Sequence, residues 1–283
     1  MPKVCVITDT NSGITREEAK ELGVYMVAMP FTVDGAGHYE SISITYEEFF
    51  EKLNSGADVL TSQPSPGNVT AVWDAALKKY DEAVYIPMSS ALSGACATAT
   101  ALAAEYDGRI QVVDNRRISL SQYYSVMDAL KLVRSGAGAA KIKEILEKEA
   151  LEQSIYITVN TLDLLKRSGR VTKSAAAVAT VLNLKPVLQI QGGKLDAYKK
   201  ARGMDKARRL MIEAAKNDTL KRFSNVNYKL ALAYSGDIKP ALAWKKEFSK
   251  EFPGYDIIMQ RLPISICCHT GDGALACAVI KVL

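Results

Sequence analysis

The sequence predicts a two-domain α/β fold on three observations. The chain has 283 residues, enough for two domains or one large one. Apolar runs of strand length alternate with helical stretches from end to end, which is the pattern of a parallel sheet joined by crossover helices. Runs in the first half end in polar loops at Asp9-Thr10, Ser89–Gly94 and Asp114, and ligands of parallel sheets bind where the strands end. A boundary is expected near residue 154, giving domains 1–154 and 155–283.

Val4 to Thr8 reads as a buried strand, and Thr15 with Glu18 makes a capping-box pair for a helix ending at Leu22, before Gly23. Val24 to Val33 is a second apolar run broken by Pro30, and Asp34-Gly35 predicts a hairpin returning through Gly37 to Ile42. Thr45 with Glu48 opens a helix carrying Phe49, Phe50 and Leu53. The loop Leu60–Gly67 is stiffened by Pro64 and Pro66 and leads into a helix over 68–80. Glu82–Pro87 and Ile110–Asp114 read as strands, and 95–105, 121–135 and 140–154 as helices.

The second half opens with the strand Ile155–Val159 and a helix bearing Leu162, Leu164 and Leu165 that stops at Gly169. An Ala- and Val-rich helix is expected over Ser174–Leu182, and Gly192-Gly193 reads as a hairpin turn between 185–190 and 194–200. Helices over 205–217 and 240–252 alternate with strands over 228–234 and 257–260. The stretch Ile264–Gly273 is expected to enter a final helix, leaving His269 in the loop at its mouth.

Composition is that of a globular protein, 48% hydrophobic and 24% charged, with a net charge of +5. No basic block interleaved with aromatics points to nucleic acid. The cluster Lys199, Lys200, Arg202, Lys206, Arg208 and Arg209 is either a solvated face or a docking surface for an acidic partner. No window reaches the roughly 18 apolar residues of a membrane span, and the run from Val4 is interrupted by Asp9 too early for a signal peptide. Five cysteines lack disulfide or metal spacing, so a cytoplasmic location with reduced thiols and no metal is expected.

The stretch Met88–Gly94, between a strand and a helix, is the candidate binding loop. Backbone N–H groups at a helix start lack intrahelical acceptors and favour an anion. Ser93 either caps that helix or turns its hydroxyl to a ligand, and Gly94 lets a ligand approach the backbone. There is no phosphate-binding G-x-x-x-x-G-K, no dinucleotide fingerprint, no G-x-S-x-G and no zinc pattern. Of the two histidines, His38 in the hairpin segment suits a surface role, and His269 is more often structural, although its neutral imidazole could give one hydrogen bond to an anionic head group. The loops carrying Thr61, Ser93 and His269 hold no Lys or Arg, so hydroxyls and helix N–H groups there suit one carboxylate better than a phosphate.

Together these stretches resemble the DegV family of bacterial fatty-acid-binding proteins. The matching pieces are Thr8-Asp9-Thr10, Thr61–Pro66, Ser89–Gly94, Val113-Asp114, Thr161-Leu162 with Leu165 and Gly169-Arg170, Lys185-Pro186, Arg202, and His269-Thr270-Gly271 with Gly273-Ala274-Leu275. Their order and spacing cover almost the whole chain. The resemblance implies a parallel-sheet N-terminal domain and a mixed-sheet C-terminal domain with one long-chain fatty acid between them. It also implies that Thr61, Ser62, Ser93 and Gly94 meet the carboxylate, with His269 and Thr270 close by and the acyl chain in an apolar tunnel. Small side chains of the Ala-rich helices 95–104 and 175–179 could leave room for that tunnel, or could simply let helices pack. No cofactor is implied. The family presents its fatty acid to a separate kinase subunit that makes the acyl-phosphate, and Arg170 and Arg202 match positions linked to that partner or to the polar network.

The chain departs from the family pattern at Ala95, at Ser121-Gln122-Tyr123, at Cys267 and at Asp272. Tyr123 is expected to make a tunnel wall bulkier. Asp272, three residues from His269, would repel a carboxylate or raise the imidazole pKa. A rival reading is a serine-dependent hydrolase or acyltransferase using Ser93 with His269, oriented by Asp272.

Overall fold

A computed structural model describes residues 2–177 and 184–283. The chain starts with β1 (Val4–Asp9), then α1 (Arg16–Leu22), whose Thr15 cap accepts from the Glu18 N–H and whose stop is Gly23 in the left-handed region. The run broken by Pro30 is two strands in two different sheets, β2 (Tyr25–Val27) and β3 (Pro30–Val33). Pro30 is tolerated because it stands first in its strand. The hairpin at Asp34-Gly35 joins β3 to β4 (Ala36–Tyr39). Thr45 and Glu48 cap α2 (Tyr46–Asn54) reciprocally, and β5 (Val59–Thr61) completes a three-stranded antiparallel sheet in the order β4-β3-β5.

Helix α3 (Pro66–Leu77) begins two residues before its predicted start, because Ser65 caps it and Pro66 fits the first turn. Then come β6 (Glu82–Ile86), α4 (Ala95–Ala103), β7 (Ile110–Val112), α5 (Leu120–Arg134) and α6 (Ala139–Lys148). The parallel sheet runs β2-β1-β6-β7. One face packs on α5 and α6 through Val126, Ala129, Ile142 and Leu146, and the other on α3 and α4 through Val69, Trp73, Cys96 and Ala99.

The helix expected over 140–154 stops at Lys148. Gln153 and Ser154 are buried and already belong to β8 (Gln153–Thr158), paired with Ile280 and Val279. After α7 (Asp163–Ser168) and α8 (Lys173–Ala177) come β9 (Leu184–Ile190) and β10 (Asp196–Arg202), a hairpin as predicted. Residues 178–182 of the Ala- and Val-rich helix lie outside the described residues. Next are α9 (Met204–Leu220), β11 (Tyr228–Tyr234), α10 (Ile238–Glu251) and β12 (Ile258–Arg261). Within the basic cluster, Arg208 pairs with Asp205 and Glu247.

The C-terminus corrects the sequence reading. Ile264–Thr270 is itself the last helix, α11, and the final element is the strand β13 (Leu275–Lys281). His269 therefore sits in the last turn of a helix. β13 lies between β8 and β11 in the mixed sheet β10-β9-β8-β13-β11-β12, and full burial on both faces overrides the helical preference of its alanines. Leu275, Cys277 and Val279 face α9 and α10, against Met211, Trp244 and Phe248, while Ala276 and Ala278 face inward. That inner face shares a cluster with Phe31, Phe49 and Val59 of the three-stranded sheet and α2, and with Leu92, Ile118 and Leu120.

Candidate functional site

A cavity of about 210 Å³ lies between this inner face and the loops that follow β1, β5, β6 and β7. Four alanines make its floor. Ala231 stands opposite Ala278 and Ala233 opposite Ala276 on neighbouring antiparallel strands. On the next strand Ile155 and Ile157 pair with Ala278 and Ala276, and Ile190 lies beyond Ile155. Side chains directly opposite each other are neighbours on one face, so a strip of methyl groups runs beside a ridge of branched side chains. The floor is a trough. Leu92, Ile118, Leu120, Leu195 and Leu262 line the other sides.

One part of the lining is polar. The Thr61 hydroxyl, at the end of β5, is 2.9 Å from Nε2 of His269, and the other ring nitrogen is buried with no partner among the described residues. Burial, with the Arg170 guanidinium second, pushes the His269 pKa down from 6.5 to about 4, so the imidazole is neutral at pH 7. Gly169, in the left-handed region, ends α7 and redirects the chain at Arg170, whose side chain donates to the Leu92 and Ser168 carbonyls. Ser93 stands next to Leu92 and also lines the cavity. The cation that the polar loops lack is supplied from the other half of the chain.

Two carboxylates hold the Met88–Gly94 loop. Asp9, fully buried, accepts from the Met88 and Asn11 N–H groups and from Gln122, and burial raises its pKa to about 6. Asp114 accepts from the Ser90 N–H and hydroxyl. The three strand-end loops read from the sequence therefore meet at one edge, with Asp9 and Asp114 as supports and half-buried Ser93 as the residue they present to the cavity. The Ser93 hydroxyl accepts from the Ala95 N–H at 3.2 Å, while Gly94 occupies the cap position with ordinary helical dihedrals. Ser93 thus meets the helix start and the cavity together, combining the two roles open to it. Gln63, on the Thr61 loop, accepts from Thr98 on α4 and ties the two loops together.

The chain matches the family model described as an uncharacterised protein family, DegV, over residues 3–282. It belongs to the DegV family. A DegV domain-containing protein of Deinococcus radiodurans is 32% identical over 72% of this chain and 73% of its own length. A structure described as fatty acid binding of a DegV family protein from Thermus thermophilus superposes with a TM-score of 0.90 at 30% identity, covering 99% of this chain and 100% of its own. A stearic-acid-binding protein of Eubacterium ventriosum has the same fold at a TM-score of 0.88 and 20% identity, covering 98% and 97%. The resemblance read from the motifs is borne out, as is the fold class, with a parallel sheet first and a mixed sheet second.

Of the candidate residues of this DegV chain, Thr61, Ser62, Ser93, Gly94, His269, Thr270 and Arg170 all border the cavity. Ser62 and Gly94 are exposed at its rim, and the Thr270 hydroxyl turns back to the Ile266 carbonyl, one helical turn away. Arg202 is not brought there: it is exposed at the end of β10, an edge strand. The Ser93–His269 couple is not assembled either. Among the described residues no hydrogen bond joins them, and Asp272 accepts from Asn54 instead of reaching the ring. Asp272 accordingly does not raise the His269 pKa, which burial lowers.

The departures from the DegV pattern fall mostly outside the lining. Cys267 is buried with its sulfur 3.9 Å from the Tyr46 hydroxyl, and Tyr123 turns away to donate to Glu18. Only Ser121 of Ser121-Gln122-Tyr123 borders the cavity. The alanines of α4 and α8 do not line it. The small residues that make room lie on strands and not on the Ala-rich helices, and their signal in the sequence is the period-two alternation of Ala231-Leu232-Ala233 and Ala276-Cys277-Ala278, which marks a sheet face.

Proposed function

We propose that the protein binds one long-chain fatty acid in this trough, with the carboxylate at Thr61, Ser93, Arg170 and His269. The observation that carries the reading is a cavity with an apolar floor and a polar end beside a guanidinium. Neutral His269 donates from Nε2 to the Thr61 oxygen, which leaves the Thr61 hydroxyl hydrogen for the ligand. Arg170 provides the charge-assisted contact. Each buried methylene of the chain contributes about 0.8 kcal/mol, so occupancy is durable. Fatty acid binding by the Thermus thermophilus relative, at 30% identity, supports this reading.

The protein itself needs no cofactor and presents the bound acid, in the cytoplasm, to a separate kinase subunit. There a carboxylate oxygen bonds to the γ-phosphorus of ATP, and ADP leaves. Exposed Ser62 and Gly94 beside Thr61 and Ser93 support an opening at the head-group end, where a partner reaches the carboxylate. Exposed Arg202 belongs to the partner-facing surface. The domain boundary falls just before β8: the polar strand-end loops come from the residues ahead of it, and the mixed sheet that closes the tunnel, together with Arg170 and His269, from residues 153–283.

Native mass spectrometry with lipid extraction tests the binding. One long-chain fatty acid per chain is expected, and a protein that stays empty when offered palmitate or oleate would overturn the reading. Ser93→Ala is expected to retain less ligand. The presentation step is tested with loaded protein, ATP and a candidate kinase subunit, trapping the acyl-phosphate with hydroxylamine.

A further inference from the structure

The floor of the cavity stops short of the end of its strands. Ala276, Ala278 and Ile280 follow one another on the inner face of β13, each about 6.8 Å from the next. Both alanines border the cavity, whereas Ile280 is fully buried just past its lining. The neighbouring strands change character at the same level. Beside Ile280 stand Gln153 on β8 and Lys229 on β11, in the rows that carry Ile155 and Ala231 one step earlier. Gln153 is buried and its side-chain amide donates to the Arg116 carbonyl, while Lys229 is exposed. Ile280 is therefore the apolar side chain on which the strip of alanines ends.

The roof runs in the same direction. Leu120, Tyr124 and Asp128 are successive i, i+4 positions on one face of α5. Leu120 lines the cavity, and Asp128 accepts from the Leu283 N–H beyond the end of β13. Tyr124, between them, is buried in the same apolar cluster as Ile280. The polar end lies the other way, because α11 with His269 leads directly into the start of β13. We propose that Ile280, backed by Tyr124, is the stop against which the methyl end of the acyl chain rests, so that this side chain sets the longest fatty acid the protein accepts. A longer chain would have to displace a packed, branched side chain, and a close-packed interior resists overfilling.

The proposal rests on fatty acid binding as read above. The test is the affinity of delipidated protein for the even-numbered saturated acids from laurate to arachidate. Affinity is expected to rise about fourfold per added methylene up to one length and to fall beyond it. Ile280→Ala removes about three methylenes' worth of side chain, so that limit should move up by about two carbons. The first acid beyond the original limit should then gain about tenfold relative to the acid at the limit. Ile280→Val should give a smaller gain in the same sense, and it carries the test should Ile280→Ala not fold. Val279→Ala, on the opposite face of the same strand, should leave the limit where it is. A profile with no upper limit, a limit unmoved in both Ile280 variants, or a limit that moves as far in Val279→Ala would each overturn the stop. So would a shift in Ile190→Ala but not in Ile280→Ala, which would send the chain across the strands. Binding of none of the acids would instead overturn the fatty acid reading.

Discussion

Loops from the first half of the chain and strands from the second meet at the cavity, and they contribute in different ways. The loops bring individual polar atoms, each held by a support behind it: Asp9 under Met88, Asp114 under Ser90, Gln63 beside Thr98. The strands bring shape, through four alanines in direct cross-strand register. A hydrogen bond contributes about 1 kcal/mol net, and one to a charged group about 1.5–3, whereas each buried methylene contributes about 0.8. On those magnitudes the floor accounts for most of the binding of a long chain, and the loops decide which way it points.

The comparison is broken most directly by filling the floor. Ala278→Phe places a ring in the trough floor, between Ala231 and Ile155. Purified protein is expected to lose its long-chain ligand, read by native mass spectrometry. Overpacking should also lower stability by about 1–3 kcal/mol, read by denaturant unfolding. Full retention of the native ligand would mean that the chain does not lie over these alanines.

The same contrast explains what was legible in the sequence. Caps and turns act locally, so Thr15, Thr45 and Gly169 marked element ends that the structure reproduces. The strand-end loops were legible too, since Asp9, Ser89–Gly94 and Asp114 announce themselves by residue type. The floor was not, because small residues signal a trough only once cross-strand register is known, and register depends on partners more than 40 residues apart in sequence. The misplaced final helix had the same origin, for an Ala-rich segment reads as helix until burial on both faces is seen.

The polar end is probed by Arg170→Gln, with the next largest effect. Loss of a charge-assisted contact worth about 1.5–3 kcal/mol should weaken fatty acid binding between tenfold and a hundredfold. Affinity for the fatty acid methyl ester, which has no charge to lose, should change little. Equal losses for acid and ester would show that Arg170 acts only by holding the Leu92 carbonyl. Thr61→Val removes one neutral hydroxyl and should cost less, about tenfold at most, in the same titration.

The smallest effect concerns the protonation state of the head-group site. In the folded chain His269 has its pKa pushed down from 6.5 to about 4, by burial and then by Arg170. Between those values the unfolded chain binds more protons at this residue, so its contribution to stability falls as pH falls through 6.5 and levels off below 4. Asp9 and Glu40 act in the opposite sense. Burial raises them to about 6 and about 7, so over the range up to those values the folded state holds more protons, and their contribution is lost as pH rises. The two trends partly cancel in the unmodified protein. His269→Gln keeps a donor for Thr61 while removing the titration, and should unmask the carboxyl trend. Relative to the unmodified protein, the variant is expected to gain less than about 1 kcal/mol between pH ~8 and ~6, and more below. Parallel stability profiles for the two proteins would mean that His269 is not held neutral, and that the polar end carries a second positive charge beside Arg170.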